Sequence, residues 1–194
     1  MGKSVILVGP RCCGKTQTGL ALSEILDIPF VDADEWFVNE HGSVDSYVTK
    51  NGGLPEGWKA FRKAETDIIE GICEEYRGIQ IVLTPGGGAV AHDHGEEYRQ
   101  RNVELLKEFG DIIYLLPLSN LEASSKILHA RSQDDKTTAE QRPSLTGKKP
   151  YEDMLVTVTK RHPLYSAAAT SGKPFYTGEK NIKEVAQEIA EKLR

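Results

Sequence analysis

The run Gly9-Pro10-Arg11-Cys12-Cys13-Gly14-Lys15-Thr16 constrains this chain more than any other feature. It fits the spacing GxxxxGK[ST], and it sits where that spacing acquires a mechanism. An apolar strand pattern, Ser4–Val8, precedes it and an amphipathic helical pattern, Lys15–Leu26, follows. Gly9 and Gly14 let the backbone curl so that successive N–H groups point inward at phosphate oxygens. The start of the next helix adds its partial positive charge. Lys15 would reach the β- and γ-phosphates of a nucleotide, and Thr16 would offer its hydroxyl to Mg2+. An ordinary glycine turn is the plainer alternative; the strand before and the helix after favour a nucleotide site.

The rest of the chain continues the same rhythm. Short apolar runs at Pro29–Asp32, Gln80–Leu83, Asp111–Leu116 and Pro174–Tyr176 read as further strands. Helical patterns fall at Gly57–Arg77, Val103–Glu108, Asn120–Arg131, Tyr151–Ser171 and Ile182–Leu193. The last shows Ile182, Val185, Ile189 and Leu193 as a core-facing stripe. Strands alternating with helices predict an α/β fold with a parallel sheet covered on both faces. At 194 residues the chain suits a single domain, 1–194, with no repeat or linker to divide it. Two segments depart from the pattern. Asn51–Gly57 is rich in turn residues, and the polar stretch of about 132–150 has no periodicity, as expected of a lid.

Composition narrows the partners. A net charge of −5 argues against a general nucleic-acid binder, and no stretch approaches the roughly 20 apolar residues that span a bilayer. The strand pattern begins at Ser4 with no basic leader before it, so a cytoplasmic location is expected. The three cysteines, Cys12, Cys13 and Cys73, show no CxxC spacing and indicate neither a disulfide framework nor a zinc site. His92 and His94 form an HxH, but Asp93 and Gly95 around them make it read as a solvated loop. Cys12 and Cys13 are unusual in a phosphate loop. The plainer reading is that small side chains fit a backbone already acceptable there; the sharper one is that loop amides and Lys15 activate a thiol.

The acceptor side is written in scattered motifs. Val31-Asp32-Ala33-Asp34 ends the second strand, followed by Phe61-Arg62-Lys63-Ala64-Glu65 and by Pro85-Gly86-Gly87-Gly88. Arg142-Pro143-Ser144-Leu145 lies in the expected lid, and Lys160-Arg161-His162-Pro163-Leu164-Tyr165 in a helix. P-loop, DxD, FRxxE, GGG, RPxL and RxPLY in this order resemble the shikimate kinase family, from Ser4 to about Tyr165. Singly, FRxxE and RPxL are weak signals; as an ordered set they are strong.

That resemblance implies a three-layer P-loop kinase fold, a five-stranded parallel sheet flanked by helices with a mobile lid. It also implies transfer of the ATP γ-phosphate to the 3-hydroxyl of shikimate, in aromatic amino-acid biosynthesis. The acceptor-binding segment would be about 33–62 and the lid about 132–150. By resemblance, Arg62 and Arg161 clamp the acceptor carboxylate, a bidentate task for which Lys is a poor substitute. Glu65 would hold Arg62 in place, and Gly86, Gly87 and Gly88 would complete the acceptor site. Gly87 in particular would let backbone N–H approach the ligand without a Cβ in the way. Asp34 resembles the residue that binds ring hydroxyls and takes the proton from the attacking one. Asp32 would order Mg2+ through water beside Thr16. ATP would be held by Gly9, Arg11, Cys12, Cys13, Gly14, Lys15, Thr16 and Gln17. Arg131 would lie on adenine, and Arg142 would stabilise the transferring phosphoryl group. Asp34, Lys15 and Arg142 are thus the expected catalytic residues. The expected partners are the small molecules ATP and shikimate, with no nucleic acid, no membrane and a monomeric chain. Plainer roles are a helix N-cap for Asp32 or Asp34 and solvated helix charges for Arg62 and Arg161.

Some positions depart from the family pattern: Cys12 stands at a usual glycine, Asn51–Gly57 adds residues beside the acceptor pocket, and the lid is longer. Two other functions stay open. One is a kinase of another small hydroxy acid such as gluconate; the other is a catalytically weak, nucleotide-binding regulatory relative.

Overall fold

The computed structural model describes residues 2–134 and 149–193. Five strands form one all-parallel sheet: β1 (Ser4–Val8), β2 (Phe30–Asp32), β3 (Val82–Thr84), β4 (Gly110–Leu116) and β5 (Pro174–Tyr176), in the order β2-β3-β1-β4-β5. The central strand β1 is buried along its whole length, in register with Val82 and Leu83 on one side and with residues 110–114 on the other. A strand covered on both faces needs apolar side chains at nearly every position, which is what VILV supplies.

Eight described helices flank the sheet: α1 (Lys15–Leu26), α2 (Ala33–His41), α3 (Val44–Lys50), α4 (Glu56–Glu75), α5 (Glu96–Phe109), α6 (Leu121–Asp134), α7 (Pro150–Ala168) and α8 (Ile182–Lys192). Among them, α1 packs on α8, α6 on α7, and α4 on both α3 and α5. The predicted α/β fold with a five-stranded parallel sheet is therefore the observed one. None of the described helices is long and apolar enough to cross a membrane.

Several helices differ from the sequence expectation for local reasons. The segment between β2 and α4, for which the sequence pattern gives no helix bounds, holds α2 and α3. Each begins at a side-chain cap: Asp32 accepts from the Asp34 amide at 2.9 Å, and Ser43 from the Ser46 amide at 3.3 Å. Helix α5 begins two turns before the apolar pattern does. Its first turn carries Glu96 and Glu97, which favour a helix N-terminus electrostatically without any apolar stripe. In α8 a capping box between Asn181 and Glu184 fixes the start, and the buried face is Val185, Ala186, Ile189 and Ala190. Ile182, expected in that stripe, is exposed.

Because all five strands run the same way, their C-terminal ends share one edge of the sheet. The turns after β1, β2 and β3 there carry the phosphate-loop motif, Asp32 to Asp34, and Pro85 to Gly88. Open α/β sheets bind ligands in the crevice at that edge.

Candidate active site

The phosphate loop is built by unusual backbone. Gly9 has φ of 150°, and a Cβ there would meet the Leu115 carbonyl oxygen at 2.5 Å and Cys13 Sγ at 2.9 Å. Gly14, with φ of 92°, opens α1 from the left-handed region. Cys12 also has positive φ, at 60°. This corrects the plainer expectation for that position: the backbone is not one that any small side chain adopts freely, and a non-glycine residue there carries a cost of about 1 kcal/mol. Cys13 is buried.

Lys15 curls back over the loop, its Nζ donating to the carbonyls of Gly9 at 3.0 Å and Pro10 at 3.1 Å. Thr16 donates its hydroxyl to Asp32 Oδ2 at 3.1 Å, while Asp32 Oδ1 caps α2. Gln17, next on α1, is exposed. A magnesium ion prefers one or two protein oxygens plus phosphate oxygens and water. The hydroxyl of Thr16 and the carboxylate of Asp32 side by side fit that donor set. No group of three or more His, Cys, Asp or Glu among the described residues could hold a metal without phosphate. Arg131, in the last turn of α6, sends Nη1 to the Cys12 carbonyl at 3.4 Å and so lies over the loop. Arg142 and most of the expected lid lie outside the described residues.

Next to the loop is a second pocket, lined by Arg11, Asp34, Val44, Trp58, Phe61, Arg62, Glu65, Gly86, Gly87, Gly88 and Arg161. All six residues predicted for the acceptor are brought together here. Arg62 is buried and gives Nη1 to Glu65 Oε2 at 2.7 Å, with its guanidinium 4.8 Å from the Phe61 ring centre and 5.6 Å from that of Trp58. The plainer role of a solvated charge is thereby excluded for Arg62. Burial pushes the Glu65 carboxyl above its ordinary range, opposed by the Arg62 charge. Three arginines, Arg11, Arg62 and Arg161, and two acidic residues, Asp34 and Glu65, line the pocket, a cationic excess by formal charge that suits an acceptor with one carboxylate.

Arg161 is positioned through α7. One turn later on the same helix, Tyr165 donates its hydroxyl to the Gly87 carbonyl. Its ring stacks on Tyr114 with centres 4.9 Å apart, and the Tyr114 hydroxyl meets His162 Nδ1 at 3.1 Å. Burial pushes the Tyr165 hydroxyl up to about 12, so it keeps its proton to donate. These contacts pin the helix that carries Arg161 to the glycine turn.

The turn itself differs in detail from expectation. At Gly87 a Cβ would find its nearest atom at 3.6 Å, an ordinary contact. It is Gly86 and Gly88 that have no room. A Cβ on Gly86 would meet Glu65 Oε1 at 2.7 Å and Asp34 Oδ1 at 2.8 Å; on Gly88 it would meet the Arg62 guanidinium at 2.5 to 2.8 Å. The turn is glycine-rich in order to admit the pocket's charged side chains.

Sequence reasoning missed the apolar wall, Val44, Trp58 and Phe61. Trp58, Phe61, Arg62 and Glu65 fall at i, i+3, i+4 and i+7, so the helical period that usually marks a core face marks the pocket floor here. It also misread His92. That side chain is not solvated but fully buried, and burial together with the charges of Arg62, Arg161 and Arg99 lowers its pKa to about 2. His94 stacks on Trp58 at 6.3 Å.

A strand–loop–helix phosphate cradle with its lysine and threonine in place, opening beside a small cationic pocket, defines an ATP-dependent phosphotransferase of the P-loop kinase fold. A protein-family model described as "Shikimate kinase" matches residues 11–194. The chain is 33% identical over 170 residues to a shikimate kinase 2 of Yersinia enterocolitica, covering 87% of this chain and 84% of the relative. It is 31% identical over the same length and shares to a shikimate kinase 2 of an Enterobacter strain. A shikimate kinase structure from Acinetobacter baumannii in complex with shikimate superposes with a TM-score of 0.79 at 25% identity, covering all of this chain and 93% of the other. The chain belongs to the shikimate kinase family.

Proposed function

We propose that this chain transfers the γ-phosphoryl group of ATP to the 3-hydroxyl of shikimate. The observation that carries the reading is the buried Arg62, held by Glu65 and joined by Arg161 in a pocket that also presents Asp34. An acceptor carboxylate docks on the two guanidinium groups. Its hydroxyls then lie toward Asp34, whose carboxylate accepts the proton as the oxygen attacks the γ-phosphorus. The bond to the β-bridging oxygen breaks and ADP leaves. Lys15 exchanges its loop carbonyls for the β- and γ-phosphate oxygens, and Arg131 covers the nucleotide. Arg142, outside the described residues, is assigned to the phosphoryl group by its motif alone. Bound beside Thr16 and Asp32, Mg2+ would neutralise charge across the phosphate oxygens.

Gluconate also carries a carboxylate, so the arginines alone do not choose between the acceptors. The apolar wall of Val44, Trp58 and Phe61 favours a ring with a carbon face over an open-chain polyol. A decayed regulatory relative would have lost some of Lys15, Thr16, Asp32, Asp34, Arg62, Arg142 and Arg161, and the sequence keeps all seven. We place the activity in a single, monomeric domain in the cytoplasm, with no nucleic-acid or membrane partner. The test offers shikimate, quinate and gluconate separately and follows ATP consumption. Turnover with shikimate is expected; turnover only with gluconate, or with none, would sink the proposal.

A further inference from the structure

His92 and Arg62 share an anomaly. Both ring nitrogens of His92 are buried without a hydrogen-bond partner, and so is Nε of Arg62. An unpaired buried donor and an unpaired buried acceptor each lose their hydration with nothing in return. One water between them would offset both losses. His92 follows directly on the Gly88–Ala91 turn against which the Arg62 guanidinium packs, and among the charges acting on its ring that of Arg62 leads, ahead of Arg161 and Arg99.

The segment between them is fixed. The Asn102 side-chain Nδ2 donates to the Ala89 carbonyl at 2.9 Å, and the Ala91 backbone N–H to that of Gly88 at 2.9 Å. Arg99 Nη1 donates to the His92 carbonyl at 2.8 Å. Gly88, with no Cβ, lets the guanidinium into this arch. Of the Arg62 nitrogens, Nη1 donates to Glu65, Nη1 and Nη2 both pack against Gly88, and Nε–H remains without a partner. A second carboxylate at Nε would cancel the cation that the acceptor needs. An imidazole among three guanidinium groups stays uncharged and offers a lone pair without doing so.

We propose that His92 is a positioning residue for the acceptor clamp: a water that accepts Arg62 Nε–H donates to one ring nitrogen of His92 and so fixes the orientation of that guanidinium. The proposal rests on Arg62 binding the acceptor carboxylate and names what aims it. Sequence at this position, an HxH in a loop, gives no hint of the role.

The test is steady-state kinetics of the full chain with shikimate and with its uncharged carboxamide. His92→Phe keeps an aromatic ring and removes both nitrogens. Losing one hydrogen bond to a charged group is expected to raise KM for shikimate by about tenfold or more. KM for ATP and for the carboxamide should stay within about twofold, because neither uses the clamp. His92→Asn or His92→Gln, whose amide oxygen can replace one ring nitrogen as acceptor, should recover most of the loss. The proposal is overturned if His92→Phe leaves KM for shikimate unchanged, if it harms both acceptors alike, or if neither amide variant recovers. Arg62→Lys separates the two readings: if it leaves KM for shikimate unchanged, the clamp itself is wrong. If it raises KM while His92→Phe does not, only the role of His92 falls. Should His92→Phe fail to fold, nitrogen NMR of histidine-labelled wild type and Arg62→Lys decides. A His92 ring-nitrogen shift that differs between the two supports the bond, and an identical shift overturns it.

Discussion

Gly88→Ala is the smallest change that should disable the acceptor pocket. The added Cβ would stand 2.5 Å from Arg62 Nη2, 2.6 Å from Nη1 and 2.8 Å from Cζ. Such distances are not tolerated, so the guanidinium must move or the turn must open. A guanidinium at the end of an exposed side chain would move at little cost. This one is buried, bonded to Glu65 at 2.7 Å and walled by Trp58 and Phe61. Overpacking of a well-packed site costs about 1–3 kcal/mol. Separating the buried ion pair altogether would cost about 3–5 kcal/mol, an upper limit. The lower range corresponds to a Tm drop of roughly 2–12 °C for a chain of this size.

Gly87→Ala is the control, since its Cβ would touch nothing closer than 3.6 Å and should leave Tm within about 2 °C, the response to well under 1 kcal/mol. Thermal unfolding of both variants gives the stability half of the comparison. KM for shikimate gives the other half: Gly88→Ala should raise it by about tenfold or more while KM for ATP changes little. A Gly88→Ala variant with wild-type Tm and wild-type KM would refute the reasoning, because Arg62 would then have room that the packing denies it.

Three further outcomes follow from single residues. Asp34→Asn keeps the side chain's shape but cannot take a proton, so kcat should fall by roughly 10²–10⁴ with little change in ATP affinity; a large loss of nucleotide binding would move Asp34 to the metal instead. At Cys12, with φ of 60°, Cys12→Gly should equal or exceed wild-type stability in urea unfolding, and Cys12→Val should lose about 1–2 kcal/mol; a valine variant as stable as wild type would contradict the left-handed backbone. His92 has its pKa lowered to about 2, so the folded chain binds fewer protons there than the unfolded chain, whose imidazole titrates near 6.5. Its contribution is complete above that value and drains away on acidification by up to about 1.4 kcal/mol per pH unit. Stability measured between pH 6.5 and 5 should fall less steeply in His92→Gln than in wild type, and parallel profiles would count against a buried neutral ring.

What the sequence made legible followed from how local each mechanism is. The phosphate loop needs consecutive residues in one turn, so eight letters between a strand and a helix were enough. The acceptor pocket is assembled from the ends of β2 and β3 and from faces of α4 and α7, and no local rule connects Arg62 with Arg161. Their pairing came from the ordered motif set. Helices α2 and α3 could not be delimited because they are short and begin at caps, with no sustained apolar stripe, although a helix cap at Asp32 or Asp34 was among the readings. His92 was misread for a related reason: a loop has no period from which to tell an inward position from an outward one. Its neighbour Asp93 is indeed exposed, so the polar context was right and the one residue that mattered was the exception.

Asp32 shows how two readings that compete in a sequence can be one device in a fold. As letters, the carboxylate is either a helix cap or a magnesium-ordering group. In the structure Oδ1 accepts from the Asp34 amide and Oδ2 from the Thr16 hydroxyl. The cap bond fixes the plane of the carboxylate, and that plane aims the other oxygen at the phosphate loop. The same bond fixes the backbone of Asp34 in the first turn of α2, and hence the direction from which its carboxylate faces Gly86. One side chain therefore sets the spacing between the nucleotide side and the proposed base. Asp32→Asn would retain the carbonyl that caps the helix yet lose a negative oxygen, whereas Asp32→Ala would lose both. If the cap matters for catalysis beyond the metal, the alanine variant must be slower than the asparagine variant at saturating Mg2+, by the factor that misplacing Asp34 costs. Equal rates would confine Asp32 to the metal side and leave the base to be positioned by the glycine turn alone.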